Sequence, residues 1–310
     1  MRTAFQRDRD RIIHSKAFRR LKHKTQVFIA PLGDHYVTRL THTLEVSQIA
    51  RSIVRALNLN EDLAEAISLG HDLGHTPFGH VGEEVLNSLY REGFRHNEQS
   101  LRVVDILEKD GHGLNLTWEV RDGILNHAKT GADILGENWG PVATLEGEVC
   151  KVADIIAYIN HDIGDAVRAG IIVEDDLPAE AVAVLGKSHS ERINTLVSDV
   201  IDFSWAATGV DSGPRPVIGM SLQVLGAAKI LRRFLFEKVY IVARDEAEHA
   251  REVVRLLYRH FIEHEEKLPE EYSRRGDSVE RKVVDYIAGM TDNYALRMAE
   301  EITTLGGLSP

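Results

Sequence analysis

A chain of 310 residues, 43% apolar and 27% charged, has the composition of a soluble globular protein, with enough apolar side chain for one large domain or two ordinary ones. The formal net charge of −11 argues against general affinity for nucleic acid, and no apolar stretch approaches the roughly 18–20 residues a bilayer-spanning helix requires. Cys150 is the only cysteine, which excludes an intrachain disulfide; an N-terminus that is charged throughout and has no signal peptide makes a reducing cytoplasm the expected compartment.

The first 24 residues depart from this acidic balance. Arg2, Arg7, Arg9, Arg11, Lys16, Arg19, Arg20, Lys22 and Lys24 stand against Asp8 and Asp10, about +7. A solvated basic helix explains them, and so does a cationic wall for an anionic ligand; a surface for single-stranded nucleic acid is the weaker alternative. Residues 41–59 place Leu44, Ile49, Ile53, Val54 and Leu57 at helical spacing. Asn58 and Asn60 punctuate this helix, and residues 61–74 begin the next. Helical patterning continues over 82–90, 97–109, 117–128 and 144–167, the last long and apolar enough for a central buried helix holding Cys150 as a small core residue. It resumes over 190–207, 220–239, 246–267 and 277–302. Turn-forming residues mark loops at 33–35, 75–79, 129–141 and 211–216. No β-alternation of useful length and no repeat is present, so the chain reads as a single all-α domain, with a core over about 18–170 and a looser C-terminal helical lobe over about 214–310.

Four residues interrupt the apolar pattern in a telling way: His42, the adjacent pair His71 and Asp72, and the distant Asp154. Two imidazoles and two carboxylates form a mixed nitrogen and oxygen donor set, suited to a divalent cation that holds a phosphate oxygen and polarises water. On a helix His71 and Asp72 would point about 100° apart, and Gly70 and Gly74 beside them would let another helix approach closely. Asp154 sits inside an apolar run, where an unpaired carboxylate is costly and a cation would relieve the cost. A buried Asp–His or Asp–Arg network without metal is the alternative.

The text around these residues resembles a known family. The ligand pattern matches the HD-domain phosphohydrolases. The blocks "HDLGHTPFGH" (71–80), "RHNEQS" (95–100), "VADIIAYINHD" (152–162) and "DYIAGMTDNYA" (285–295) look like the deoxynucleoside triphosphate triphosphohydrolases, the dGTPase-like proteins. Similar blocks run from residue 2 to about 295, nearly the whole chain. The resemblance implies an HD-domain helical bundle with additional C-terminal helices. It also implies hydrolysis of a dNTP at the α-phosphorus to deoxynucleoside and triphosphate, with one divalent ion on His42, His71, Asp72 and Asp154. Mn²⁺ or Mg²⁺ is expected first, with Fe²⁺, Co²⁺, Ni²⁺ and Zn²⁺ open.

Further parts follow for that chemistry. His75 lies one turn beyond His71 if the helix continues, and Gly74, Pro77 and Gly79 would bend the chain so that His80 turns inward. His80 and Glu83, three apart, can form a carboxylate–imidazole pair, so His80 is expected to transfer the proton, as acid or as base, with Glu83 as its orienter. By resemblance His96 contacts the α-phosphate or the water. Arg39, three residues before His42, would clamp a phosphate. Asp154, Tyr158 and Asp162 fall on one helical stripe. By resemblance Tyr158 packs against the deoxyribose, while Asp162 and Gln26 read its 3′-hydroxyl. The expected partners are deoxynucleoside triphosphates and further copies of the chain in a homo-oligomer, without a membrane.

Two other readings compete. His96 and His127, lying between the HD pair and Asp154, could support a second metal, as in an HD phosphohydrolase acting on a nucleoside monophosphate, a cyclic dinucleotide or an alarmone. A non-enzymatic nucleotide sensor is the third.

Overall fold

The computed structural model describes residues 1–26, 37–128, 141–210, 216–240, 244–273 and 276–305. The turn expected at 33–35, and all but the last residue of those at 129–141 and 211–216, lie outside them. Among the described residues the fold is all-α: helices follow one another and no strand forms, apart from one isolated antiparallel bridge between Thr25 and Thr38. Among the described residues no helix is long and apolar enough to cross a membrane. The chain gathers into two compact units, each drawn from three stretches. One comprises Met1–Ile12, Thr41–His71 and Leu116–Val242; the other comprises Ile13–Leu40, Asp72–Asn115 and Ala243–Pro310.

The first unit is built on the helix Leu145–Arg168. Thr144 caps it by accepting from the Gly147 amide, and Glu146 and Glu148 complement the positive end of its dipole. Its apolar face, including Val149, Val152, Ile156 and Ile163, is buried. Around it pack Glu61–Gly70, Trp118–Asn126, His189–Phe203 and Leu222–Leu235. The helix Arg39–Ala56 buries Val46, Ile49, Ala50, Ile53 and Val54, with Leu57 buried just past its end, whereas Leu44, expected on that face, is 52% exposed. Leu44 lies about 200° around the helix from Val46, which takes the inward position. Cys150 is the small core residue expected: Sγ sits 3.3 Å from the Ala64 carbonyl, and burial raises its thiol pKa to about 12.

The second unit buries Phe78, Val85, Leu86, Val254, Leu257, Val284 and Ile287 in one apolar cluster. The helix His80–Leu89 packs on Arg244–Glu263, which also contacts Val279–Ala288 and Asp292–Leu305.

Helical periodicity located the segments but not their breaks. The run 61–74 stops early: the helix ends at Gly70, His71 is its cap, and the HD pair stands at a helix terminus. The run 97–109 splits into His96–Arg102, a wide turn over Val103–Leu107 and a left-handed kink at Lys109 and Asp110 (φ 51° and 56°). The run 277–302 divides around Gly289, and 190–207 ends its helix at Phe203. The basic N-terminal stretch is more occupied than a cationic wall would be. Arg9 pairs with Glu65 at 3.0 Å and Arg11 with Asp8 at 3.2 Å; Lys24 is buried.

Candidate active site

In the first unit, His42, His71 and Asp154 converge with ligand atoms all within 4.8 Å of one another. His42 Nε2 lies 3.1 Å from Asp154 Oδ1, and the His42 and His71 rings meet edge to face at 5.5 Å. Each imidazole is held by its other nitrogen. His71 Nδ1 donates to the Ser68 carbonyl at 2.6 Å, and His42 Nδ1 faces His161 Nε2 at 2.9 Å. Held that way, His71 has its Nε2 directed to a ligand, and so has His42 in the tautomer that donates from Nδ1. Two donors bound about 2.1 Å from one divalent ion stand about 3 Å apart, so the His42–Asp154 spacing fits such an ion. His127 stands beside them: its ring is 4.9 Å from that of His71, and Nδ1 donates to the Ile124 carbonyl at 2.7 Å.

The helix Leu145–Arg168 is continuous, so Asp154, Tyr158 and Asp162 share its stripe. Asp162 is fully buried and already engaged. Tyr240 donates its hydroxyl to Oδ2, and His161 Nδ1 lies 2.8 Å from Oδ1. The Tyr158 and Tyr240 rings tilt against each other at 6.2 Å. Burial first, and the Asp162 charge second, push both phenol pKa values up.

In the second unit, Asp72 Oδ2 accepts from Arg39 Nη1 at 2.7 Å, and Oδ1 lies 3.6 Å from His75 Nε2. Arg39 and Asp72 thus form a buried ion pair. Arg39 does begin the helix that carries His42, but its side chain is 1% exposed and committed to Asp72. His75 does not extend a helix from His71, because the chain turns at Gly70; it is buried and stacks on His96 with centroids 4.1 Å apart. His80 opens the helix His80–Leu89, as expected. Glu83, however, does not hold His80. Its carboxylate takes the His96 ring at Nδ1 (2.9 Å) and the His96 backbone amide (2.9 Å).

This pairing sorts the histidines by charge. Burial opposes a charge on His96, but Glu83 beside it outweighs burial and raises its pKa. Burial likewise opposes ionised Glu83, yet the His96 charge and hydrogen bonds bring it down to about 2. Burial, then the Arg39 charge, then His96 hold His75 well below the ordinary imidazole range. His80 has an exposed face, yet the protein around its ring desolvates it, and Arg39 adds to that, so its pKa is lowered as well. Of two stacked imidazoles only one carries charge readily.

The loop before His80 is tied down locally. Gly74 allows contact that no side chain would: a Cβ there would lie 2.1 Å from the Ser100 amide nitrogen, and the Gly74 amide donates to Ser100 Oγ at 2.8 Å. Phe78 takes a left-handed φ of 62°, and its amide donates to Asp292 at 3.0 Å. Gly79, at φ 58°, leaves room for the Arg39 guanidinium. Buried Lys24 donates to the carbonyls of His75 and Ala288; burial lowers its pKa to about 7. Gln26 is buried, and its Oε1 finds no hydrogen-bond partner among the described residues. His161, Tyr240 and Asp292 escaped the sequence reading, and Lys24 entered it only as part of the basic stretch. For His161 a clue was present, since it is a histidine beside Asp162 in an apolar helix.

The HD domain family model matches residues 39–159, and that of the phosphohydrolase-associated domain matches residues 218–301. A deoxyguanosinetriphosphate triphosphohydrolase-like protein of Caldanaerobacter subterraneus subsp. tengcongensis is 58% identical over 306 residues, covering 97% of this chain and 85% of that protein. Proteins of the same description from Clostridium perfringens (strain 13 / Type A) and Desulfatibacillum aliphaticivorans are 52% and 48% identical, covering 95% and 97% of this chain and 85% and 88% of theirs. Among solved structures, a hypothetical protein from Aquifex aeolicus, 20% identical, matches with a TM-score of 0.50 over 94% of this chain and 67% of its own, a likeness of fold.

Proposed function

The chain belongs to the deoxyguanosinetriphosphate triphosphohydrolase-like proteins of the HD-domain phosphohydrolases, and on that premise we propose that it cleaves a deoxynucleoside triphosphate at the α-phosphorus, giving deoxynucleoside and intact triphosphate. The observation that carries this reading is the donor cluster of His42, His71 and Asp154. The fourth ligand assigned is Asp72, peptide-bonded to His71. When bound, a divalent ion supplies Lewis acidity toward a phosphate oxygen and lowers the pKa of water; Mn²⁺ or Mg²⁺ is the ion proposed.

The remaining chemistry falls to the chain's own side chains. His80, whose pKa is lowered, is neutral near pH 7 and is assigned to receive a proton from the attacking water. His96, held cationic by Glu83, is assigned the positive charge facing the phosphate and the proton for the departing 5′-oxygen. Glu83 is thereby the orienter of His96. His75, neutral and stacked on it, keeps the second charge out. Arg39 holds Asp72 and presents its other edge to phosphate. Tyr158 is assigned to the deoxyribose face, and Asp162 and Gln26 to the 3′-hydroxyl; at Asp162 that hydroxyl competes with Tyr240. A Tyr packed where a 2′-hydroxyl would project favours deoxyribose by exclusion. We further infer a cytoplasmic homo-oligomer.

Purified protein with Mn²⁺ and each dNTP in turn should release tripolyphosphate and deoxynucleoside, resolved by chromatography. Orthophosphate or pyrophosphate in their place would refute the assignment. The buried His127 ring beside His71 favours a second reading, a binuclear HD phosphohydrolase acting on another phosphate ester; two ions per chain on elemental analysis, with no tripolyphosphate, is its signature.

A further inference from the structure

We propose that His161 is a positioning residue of the metal centre, fixing the His42 ring with its Nε2 lone pair toward His71 and Asp154. The proposal rests on reading those three residues as that centre. His161 lies on the helix that carries Asp154 and is 2% exposed. Its Nε2 is 2.9 Å from His42 Nδ1, so the two nitrogens share one proton between them.

The direction of that hydrogen bond decides whether His42 can ligate. A cation at His42 Nε2 needs a lone pair there, so the His42 proton must sit on Nδ1 and His161 Nε2 must accept it. A neutral His161 ring then carries its own proton on Nδ1. That nitrogen faces the Asp162 carboxylate at 2.8 Å, an oblique approach that acts through charge more than through an aligned hydrogen bond. Asp162 is in turn fixed by the Tyr240 hydroxyl on its other oxygen. The protons of His42 and His161 therefore both point along the line toward the Asp162 carboxylate, which accepts the Tyr240 hydroxyl on its other oxygen. With the proton on His161 Nε2 instead, the line would reverse and place the His42 proton on the nitrogen that must bind metal. Asp162, a buried carboxylate beside Nδ1, favours the productive tautomer.

The test compares the wild type, His161→Gln, His161→Leu and His42→Ala, all stripped of metal and titrated with Mn²⁺ by calorimetry, with melting of each metal-free protein measured alongside. Gln can accept from His42 through its amide oxygen and face Asp162 with its amide nitrogen; Leu can do neither. His161→Gln is expected to bind Mn²⁺ within about threefold of the wild type and His161→Leu about 10–100-fold more weakly, while both metal-free proteins melt cooperatively. Wild-type affinity in His161→Leu, or equal weakening in both variants, would overturn the proposal. Undiminished affinity in His42→Ala would sink the metal centre itself, an outcome independent of His161. Should His161→Leu not fold, long-range proton–nitrogen correlation spectra of the Zn²⁺-loaded wild type decide. A proton on His161 Nδ1 supports the assignment, and one on Nε2 overturns it.

Discussion

Replacing Glu83 by Gln removes the charge that keeps His96 protonated while preserving the size of the side chain. His96 has a raised pKa, so its charged form is present at low pH and is lost as pH rises through that raised value. Without the carboxylate, the loss occurs at lower pH. Glu83→Gln should therefore shift the alkaline limb of the kcat/KM profile toward acid and lower the rate at pH 8 by at least about 10²-fold. The acid limb, assigned to His80, should move less, because burial and the Arg39 charge outrank Glu83 in setting it; an unmoved alkaline limb would return Glu83 to His80. The sequence misassigned this pair because Glu83 and His80 are three apart, whereas the true partner arrives thirteen residues later through a fold-dependent return of the chain. His42, His71 and Asp154 were legible because ionisable groups among apolar helical residues demand a reason. Tyr240 was not, since an aromatic at the end of an apolar helix looks like core until its hydroxyl is seen on Asp162.

The helix His96–Arg102 lies against the loop that carries His75, and Gly74 sets how near the two come. Gly74→Ala would drive a methyl into backbone atoms at 2.1–2.6 Å, where no side chain can swing aside. We expect a loss of about 1–3 kcal/mol in urea unfolding, together with displacement of His96 and most of the activity; a change within 0.5 kcal/mol would show that the loop has slack. The sequence anticipated that small residues here admit a close neighbour, and Gly74 against Ser100 bears that out. Helix starts were equally readable, since Asn60, Thr144, Ser188, Ser221 and Ser278 all cap in the way their side chains favour. Turns between helices were not, because the left-handed Phe78 depends on a partner far along the chain, Asp292.

For the molecule as a whole, a ligand that binds only the folded state raises its stability. Mn²⁺ at a hundredfold excess over its dissociation constant should add about 2.7 kcal/mol and raise the melting temperature, an effect that Asp154→Ala should abolish and differential scanning calorimetry would register; an equal rise in that variant would place the ion elsewhere. The way each unit is assembled carries a consequence for how the protein is born. The apolar cluster around Phe78 and Leu86 is closed by residues from Ala250 to Ala299. On the ribosome those early side chains emerge more than 150 positions before the segments that cover them. The nascent chain must therefore carry an uncovered greasy strip through about half of its translation, which is the interval in which holding chaperones find purchase and neighbouring polysomal chains can stick to one another.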